Sequence, residues 1–192
     1  MRFKINITLL DFVESLPTKK PDKYDLGYIH EFYSEVLTPF KDTCSKILEI
    51  GIQYGLSMLL WKEYFINAEV YGIDTEYCHH VTNSSRLHPY FLDAYTQSSV
   101  GLFVPESFDV VIDDGPHTLE SMIFFCRYYL PLVKPGGVFV VEDIIDTTWT
   151  PILLNIIGKK YNTKVYNMTG KCLTKKLNDT WINGLDVIVV KK

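Results

Sequence analysis

Apolar positions along the chain follow two alternating rhythms. Short apolar runs, several of them β-branched, stand at 46–50, 69–73, 89–92, 109–112, 138–141, 163–167 and 185–190. Between most of them lie stretches with a helical period, at 28–40, 57–65, 118–129 and near 151–159, and a weak helical turn at 98–103. Runs this short and continuous read as strands buried on both faces, the habit of a parallel sheet. Their alternation with helices predicts an α/β fold, a Rossmann-like doubly wound sheet of seven strands with helices on both faces. The last two runs are joined by polar sequence that includes Asn178, Asp179, Asn183 and Gly184, which leaves no room for a crossover helix. They are expected to close one sheet edge as an antiparallel hairpin. Pro135, Gly136 and Gly137 read as the turn into the fifth strand, and residues 1–27 are weakly patterned, with a polar, proline-bounded loop at 17–23.

A chain of 192 residues, 47% of them hydrophobic, is long enough for one domain with a sizeable core. Its net charge of −4 offers no basic footprint, so no nucleic-acid partner is expected. Lys171, Lys175, Lys176, Lys191 and Lys192 read as a solvated face. Cys44, Cys78, Cys126 and Cys172 lie far apart without metal-ligand spacing and read as reduced thiols, Cys126 as a core residue on a helix. The first residues lack a signal-peptide pattern and no stretch reaches transmembrane length, so a cytoplasmic protein without a membrane partner is expected.

Candidate chemistry gathers where two runs end. The fourth ends in Asp113 and Asp114, followed by Gly115, Pro116 and His117; the fifth ends in Glu142 and Asp143. In open α/β sheets ligands bind beyond the carboxyl ends of the strands. Four acids gathered there are costly without a cation or a polar ligand. If the two strands are neighbours, about 4.8 Å apart, Asp114, Glu142 and Asp143 can meet across one gap. Such hard oxygen ligands suit Mg2+, and His117 can point into the same space. A plainer reading makes Asp113 or Asp114 the cap of the next helix, Glu142 and Asp143 a solvated strand end, and His117 a polar helix start. The adjacent His79 and His80 read as loop. Tyr28, Tyr33 and Tyr54 either stack on a ligand or pack as amphipathic residues.

After the first strand the turn contains Glu49, Gly51, Gln53 and Gly55, one glycine short of a dinucleotide fingerprint. An acid before the first glycine would repel a pyrophosphate and suits a cationic cofactor. This Glu-x-Gly-x-x-x-Gly turn, Asp74 ending the second strand, Asp93 after the third, Leu132 to Gly137 before the fifth and the final hairpin together resemble a class I S-adenosylmethionine-dependent methyltransferase. The resemblance spans roughly residues 45–190. It implies a cofactor domain over 45–192, with residues 1–44 a loop and helix that cover the site. It further implies that Glu49, Gly51 and Gly55 lie near the amino-acid end of the cofactor, with Ser57 at the start of the following helix. Asp74 would take the ribose hydroxyls and Asp93 the adenine amino group.

A finer resemblance appears in Asp113-Asp114-Gly115-Pro116-His117 and Val141-Glu142-Asp143-Ile144, which look like the metal-dependent macrocin and mycinamicin sugar O-methyltransferases. Asp22-Lys23 and the helix through His30 and Tyr33 are similar to that group too. The resemblance implies Mg2+ on Asp114, Glu142 and Asp143, with His117 as general base beside Asp114. Asp113 either supports the metal side from behind or holds the cofactor side of the pocket. Pro116 stands where a serine is commoner, which should stiffen the loop. The implied acceptor is a sugar or glycan hydroxyl, with the site completed by residues 1–27 or by a second subunit of a homo-oligomer. A catechol-like diol acceptor, or a non-catalytic cofactor- or partner-binding domain, are the other readings.

Overall fold

A computed structural model of the chain describes residues 7–16, 20–78, 81, 85–171 and 186–192. Among the described residues seven strands form one sheet: β1 (Lys46–Ile50), β2 (Glu69–Asp74), β3 (Leu87–Phe91), β4 (Phe108–Asp113), β5 (Val133–Ile144), β6 (Asn162–Asn167) and β7 (Asp186–Lys191). Their order is β3-β2-β1-β4-β5-β7-β6. The first five pair in parallel, whereas β7 runs antiparallel to both β5 and β6. The predicted sheet and its antiparallel closing pair are thus both present. The connection containing Asn178, Asp179, Asn183 and Gly184 lies outside the described residues, as do His79, His80, Cys172, Lys175 and Lys176.

The helices are α1 (Leu9–Ser15), α2 (Asp22–Asp25), α3 (Ser34–Leu37), α4 (Leu56–Tyr64), α5 (Gln97–Val100), α6 (Leu119–Tyr128) and α7 (Thr150–Ile157). One face of the sheet packs on α1, α3 and α4 through Leu9, Val13, Val36, Met58 and Trp61 against Ile47, Val70, Val110 and Val138. The other packs on α6 and α7 through Met122, Phe125, Cys126 and Leu153 against Leu48, Val111, Phe139 and Val141. Both faces being covered explains why the central strands carry apolar residues at successive positions rather than alternate ones. Cys44, Cys78 and Cys126 are buried free thiols, and burial pushes the Cys44 thiol up to about 12.

Three local expectations change. The single helix expected at 28–40 is a π-helical turn over Ile29–Tyr33, then α3, then a 3-10 turn over Thr38–Phe40. The weakly patterned N-terminus contains α1, closed by a capping box between Thr8 and Asp11, and the short α2. Pro135, Gly136 and Gly137 are not a turn before β5 but a bulge inside it, where the pairing with β4 shifts register. The bulge needs glycine: Gly136 has φ +81°, and a Cβ on Gly137 would lie 2.8 Å from the Asp109 carbonyl oxygen. Among the described residues no helix is long and apolar enough to cross a membrane.

Candidate functional site

At the carboxyl ends of β1, β4 and β5, which are adjacent in the sheet, the chain leaves three strands within a few residues of one another. Ile50 is in register with Asp113, and Asp113 with Val141. The turn after β1 touches the turn after β4. Gly51 has φ +80°, and a Cβ there would sit 1.9 Å from the carbonyl oxygen of Asp114. Only glycine permits both that backbone angle and that approach. Gly55, at φ +77°, ends the turn and begins α4.

These turns border a cavity of about 830 Å³, a size ordinary for a small-molecule site. Its wall is built from residues 50–54, Leu56, Ser57, 73–75, 92–95, 114–117, Asp143 and, from the N-terminal segment, Lys20, Asp22, Asp25 and Leu26. Of the residues singled out from sequence, Gly51, Ser57, Asp74, Asp93, Asp114, His117 and Asp143 line it. Glu49, Asp113 and Glu142 stand behind the wall, at 0%, 2% and 1% exposure. Asp74 braces the first turn: its Oδ2 accepts from the backbone N–H of Ile52 at 2.9 Å and of Gln53 at 2.7 Å, and its Oδ1 from Glu76 N–H at 3.0 Å. Asp93 accepts from Tyr95 N–H at 2.8 Å. Thr118, not Asp113 or Asp114, caps α6.

Asp114, His117 and Asp143 each present one ligand atom, all within 4.8 Å of one another. His117 Nε2 is 3.7 Å from Asp143 Oδ2 and 4.0 Å from Asp114 Oδ1. Two oxygens and a nitrogen at that spacing fit a divalent cation. Glu142 is not one of the three, and both of its carboxylate oxygens already have partners. Its Oε2 accepts from Lys23 Nζ at 2.6 Å and its Oε1 from the Tyr33 hydroxyl. Asp113 accepts at Oδ1 from the Tyr95 hydroxyl, 2.6 Å away, which fixes the ring beneath Gly115; a Cβ on Gly115 would meet that hydroxyl at 1.9 Å. Burial pushes the Asp113 carboxyl up to about 7.

Burial also raises Asp114, Glu142 and Glu49 above the usual carboxylate range, against the pull of Lys23 on each. Burial opposes the charge on Lys23 itself, but Asp114, Glu142 and Glu49 outweigh it and hold the ammonium well above its ordinary value. Burial lowers the His117 imidazole, with the Asp143 charge opposing. Backbone strain concentrates at the same place. Gln53, His117 and Asp143 have φ of 43°, 53° and 51°, and all three line the cavity. Left-handed angles in non-glycine residues cost of order 1–3 kcal/mol each and tend to persist at functional sites.

Three residues reach this cluster in a way the sequence did not show: Lys23, named there only within the family resemblance, and Tyr28, whose hydroxyl donates to Asp143 Oδ1, and Tyr33, both read as stacking on a ligand or packing. The signal was indirect. So many acids on neighbouring strand ends require a cation, and the runs 108–117 and 138–144 that carry them contain no lysine or arginine.

The Methyltransferase domain family model matches residues 48–144. The tetracenomycin-C rhamnosyl 2'-O-methyltransferase of Streptomyces olivaceus is 29% identical, over 67% of this chain and 36% of its own length. The mycinamicin VI 2''-O-methyltransferase of Micromonospora griseorubida is 27% identical, over 69% of this chain and 38% of its own. The chain therefore spans a little over a third of these two relatives. Among solved structures, MycE methyltransferase in complex with Mg, SAH and mycinamycin VI is 25% identical, with a TM-score of 0.55 over 70% of this chain and 42% of that one. A spermidine synthase at 20% identity shares the fold, with a TM-score of 0.60 over 88% of this chain and 60% of that one.

Proposed function

We propose that this chain, which belongs to the Methyltransferase domain family, is a Mg2+-dependent enzyme that moves a methyl group from S-adenosylmethionine to a hydroxyl of a sugar or glycoconjugate. One observation carries the reading: a single cavity is bordered at once by the Gly51 turn with Asp74 and by the Asp114, His117 and Asp143 group. The names of the sugar O-methyltransferases among its relatives support the acceptor class.

The residues fit the donor. Asp74, in the cavity wall, has two carboxylate oxygens that suit a vicinal ribose diol, and Asp93 suits the adenine amino group. Gly51, Gly55 and Ser57 bring the backbone of the turn and the start of α4 close to the amino-acid end. Glu49 adds negative charge from behind, which favours a cationic cofactor. Asp113 holds the loop of Asp114 to His117 through Tyr95. When bound, S-adenosylmethionine supplies an activated methyl group on a sulfonium.

Asp114 and Asp143 would hold Mg2+ from the cavity side, with Glu142 as the third carboxylate behind them. Bound there, Mg2+ would supply the Lewis acidity that lowers the pKa of a hydroxyl in a vicinal diol. His117 takes the proton of the reacting hydroxyl at Nε2, the nitrogen that faces Asp143 and Asp114. Asp143 stabilises the resulting imidazolium. The N-terminal residues 20–26 narrow the cavity and exclude water on the acceptor side. Orientation and charge control then account for most of the acceleration.

The deciding experiment is a methyl-transfer screen with labelled S-adenosylmethionine against mono- and oligosaccharides and catechols. Methylation of a sugar diol is expected. Methylation of catechols alone would replace the acceptor class, and an absence of cofactor binding by calorimetry would sink the enzyme reading. Asp74→Ala is expected to weaken cofactor binding at least tenfold, since the carboxylate serves both the diol and the N–H groups of Ile52 and Gln53. An unchanged dissociation constant would remove Asp74 from the cofactor site.

A further inference from the structure

Lys23 sits on α2, in the N-terminal segment, yet its ammonium ends among carboxylates carried by three adjacent strands. Nζ lies 2.6 Å from Asp114 Oδ2, 2.6 Å from Glu142 Oε2 and 3.2 Å from Glu49 Oε1. The side chain is only 1% exposed, and its Nζ lies over the Tyr33 ring, 6.0 Å from the centroid. Glu49 is wholly buried: its Oε2 accepts from the Trp61 indole N–H at 3.1 Å, while its Oε1 makes no hydrogen bond among the described residues and has this ammonium as its counter-charge. The same segment adds two hydroxyl donors, Tyr33 to Glu142 and Tyr28 to Asp143. The π-helical turn over Ile29–Tyr33 brings those two tyrosines, five residues apart, onto one side; an α-helical spacing of five would turn them about 140° apart.

These donors divide the carboxylates. Both oxygens of Glu142 are engaged, by Lys23 and Tyr33. Asp114 gives Oδ2 to Lys23 and keeps Oδ1 toward His117; Asp143 gives Oδ1 to Tyr28 and keeps Oδ2 toward His117. A divalent ion entering from the cavity therefore meets acids that already have a counter-charge, and it must share Asp114 and Glu142 with an ammonium.

We propose that Lys23 is a resident cation of this cluster: it shares Asp114 and Glu142 with the metal site and so sets how weakly, and how reversibly, a divalent ion is held. The inference rests on the reading of Asp114 and Asp143, beside His117, as the acids that would hold the cation, and adds the residue that tunes it. Lys23 is a positioning residue, acting on the ion through the carboxylates they share. A lysine that served packing alone would leave the folded protein's metal affinity unchanged on removal, or lower it as the ligands drift apart. A resident cation predicts the opposite sign, because its removal leaves like charges that attract a divalent ion more strongly.

The test is titration with Mn2+ alone, followed by electron paramagnetic resonance, on the wild-type chain, Lys23→Met and Lys23→Arg. Lys23→Met keeps the unbranched apolar stem and removes the charged end; it is expected to bind Mn2+ at least tenfold more tightly than wild type. Lys23→Arg, which keeps the charge, is expected to stay within about threefold of wild type, a span under 0.7 kcal/mol. If Lys23→Met does not fold, the double variant Lys23→Met/Glu49→Gln removes one buried acid together with the ammonium and is held to the same expectation. Equal or weaker binding by the methionine variant, with wild-type binding intact, overturns the role of Lys23 and leaves the metal reading standing. Mn2+ binding to none of the proteins overturns the metal reading itself.

Discussion

Methyl transfer is expected to stop in EDTA and to return when Mg2+ is added in excess. A sugar hydroxyl is almost entirely protonated at neutral pH, and His117 alone is too weak a base to ionise it in advance. Divalent-cation stabilisation of developing oxygen charge is worth several kcal/mol, so its loss should slow turnover on the order of 10³-fold. The arrangement of the cluster sharpens the expectation. Asp114 and Asp143 each keep one oxygen toward the cavity while the other is tied down by Lys23 or Tyr28. Cofactor binding, measured by calorimetry in the same EDTA buffer, should persist, because Asp74, Asp93 and the Gly51 turn do not depend on the cluster for their hydrogen bonds. Full activity in chelator would remove the metal from the reaction and return Asp114 and Asp143 to the orientation of His117.

His117→Ala is expected to lower kcat by about 10²- to 10⁴-fold, the usual worth of a positioned general base, while the dissociation constant for S-adenosylmethionine stays within about twofold of wild type. The N-terminal groups that reach the cluster do not compete with His117 as proton acceptors. Tyr28 and Tyr33 are pushed far above their ordinary range by burial and by Asp143 and Glu142 respectively, so they remain donors. Lys23 is held charged by three carboxylates. Burial lowers the imidazole of His117, which keeps it neutral, and thus able to accept a proton, near pH 7. Its left-handed backbone, at φ 53°, turns the ring toward Asp143 rather than along α6. Single-turnover kinetics with saturating donor would isolate the chemical step. A variant that turned over at the wild-type rate there would end the assignment of His117 as base.

Much of this architecture is legible in the chain. β1 falls at 46–50 both in the hydrophobic pattern and in the structure, and β7 is displaced by a single residue. Buried parallel strands demand continuous apolar runs, and their acidic ends mark the side on which a ligand binds. The bulge in β5 was not legible, since Pro-Gly-Gly is also the usual spelling of a turn, and only the pairing with β4 distinguishes them. The N-terminal helices were missed for a related reason. α1 and α2 are seven and four residues long, too short for a period to stand out, and they are held by contacts with α3, α4 and the sheet.

The sequence by itself determined which acids stand at strand ends, that those ends lie on one side of the sheet, and that a glycine turn follows the first of them. Those properties follow from local hydrophobic pattern and backbone preference, which act over a few residues. Which oxygen of each acid faces the cavity, and what neutralises the rest, was decided only by the tertiary structure. Lys23 and Glu142 are 119 residues apart in the chain and 2.6 Å apart in the fold. The pairing of a buried charge depends on distance in space, and no periodicity along the chain records it.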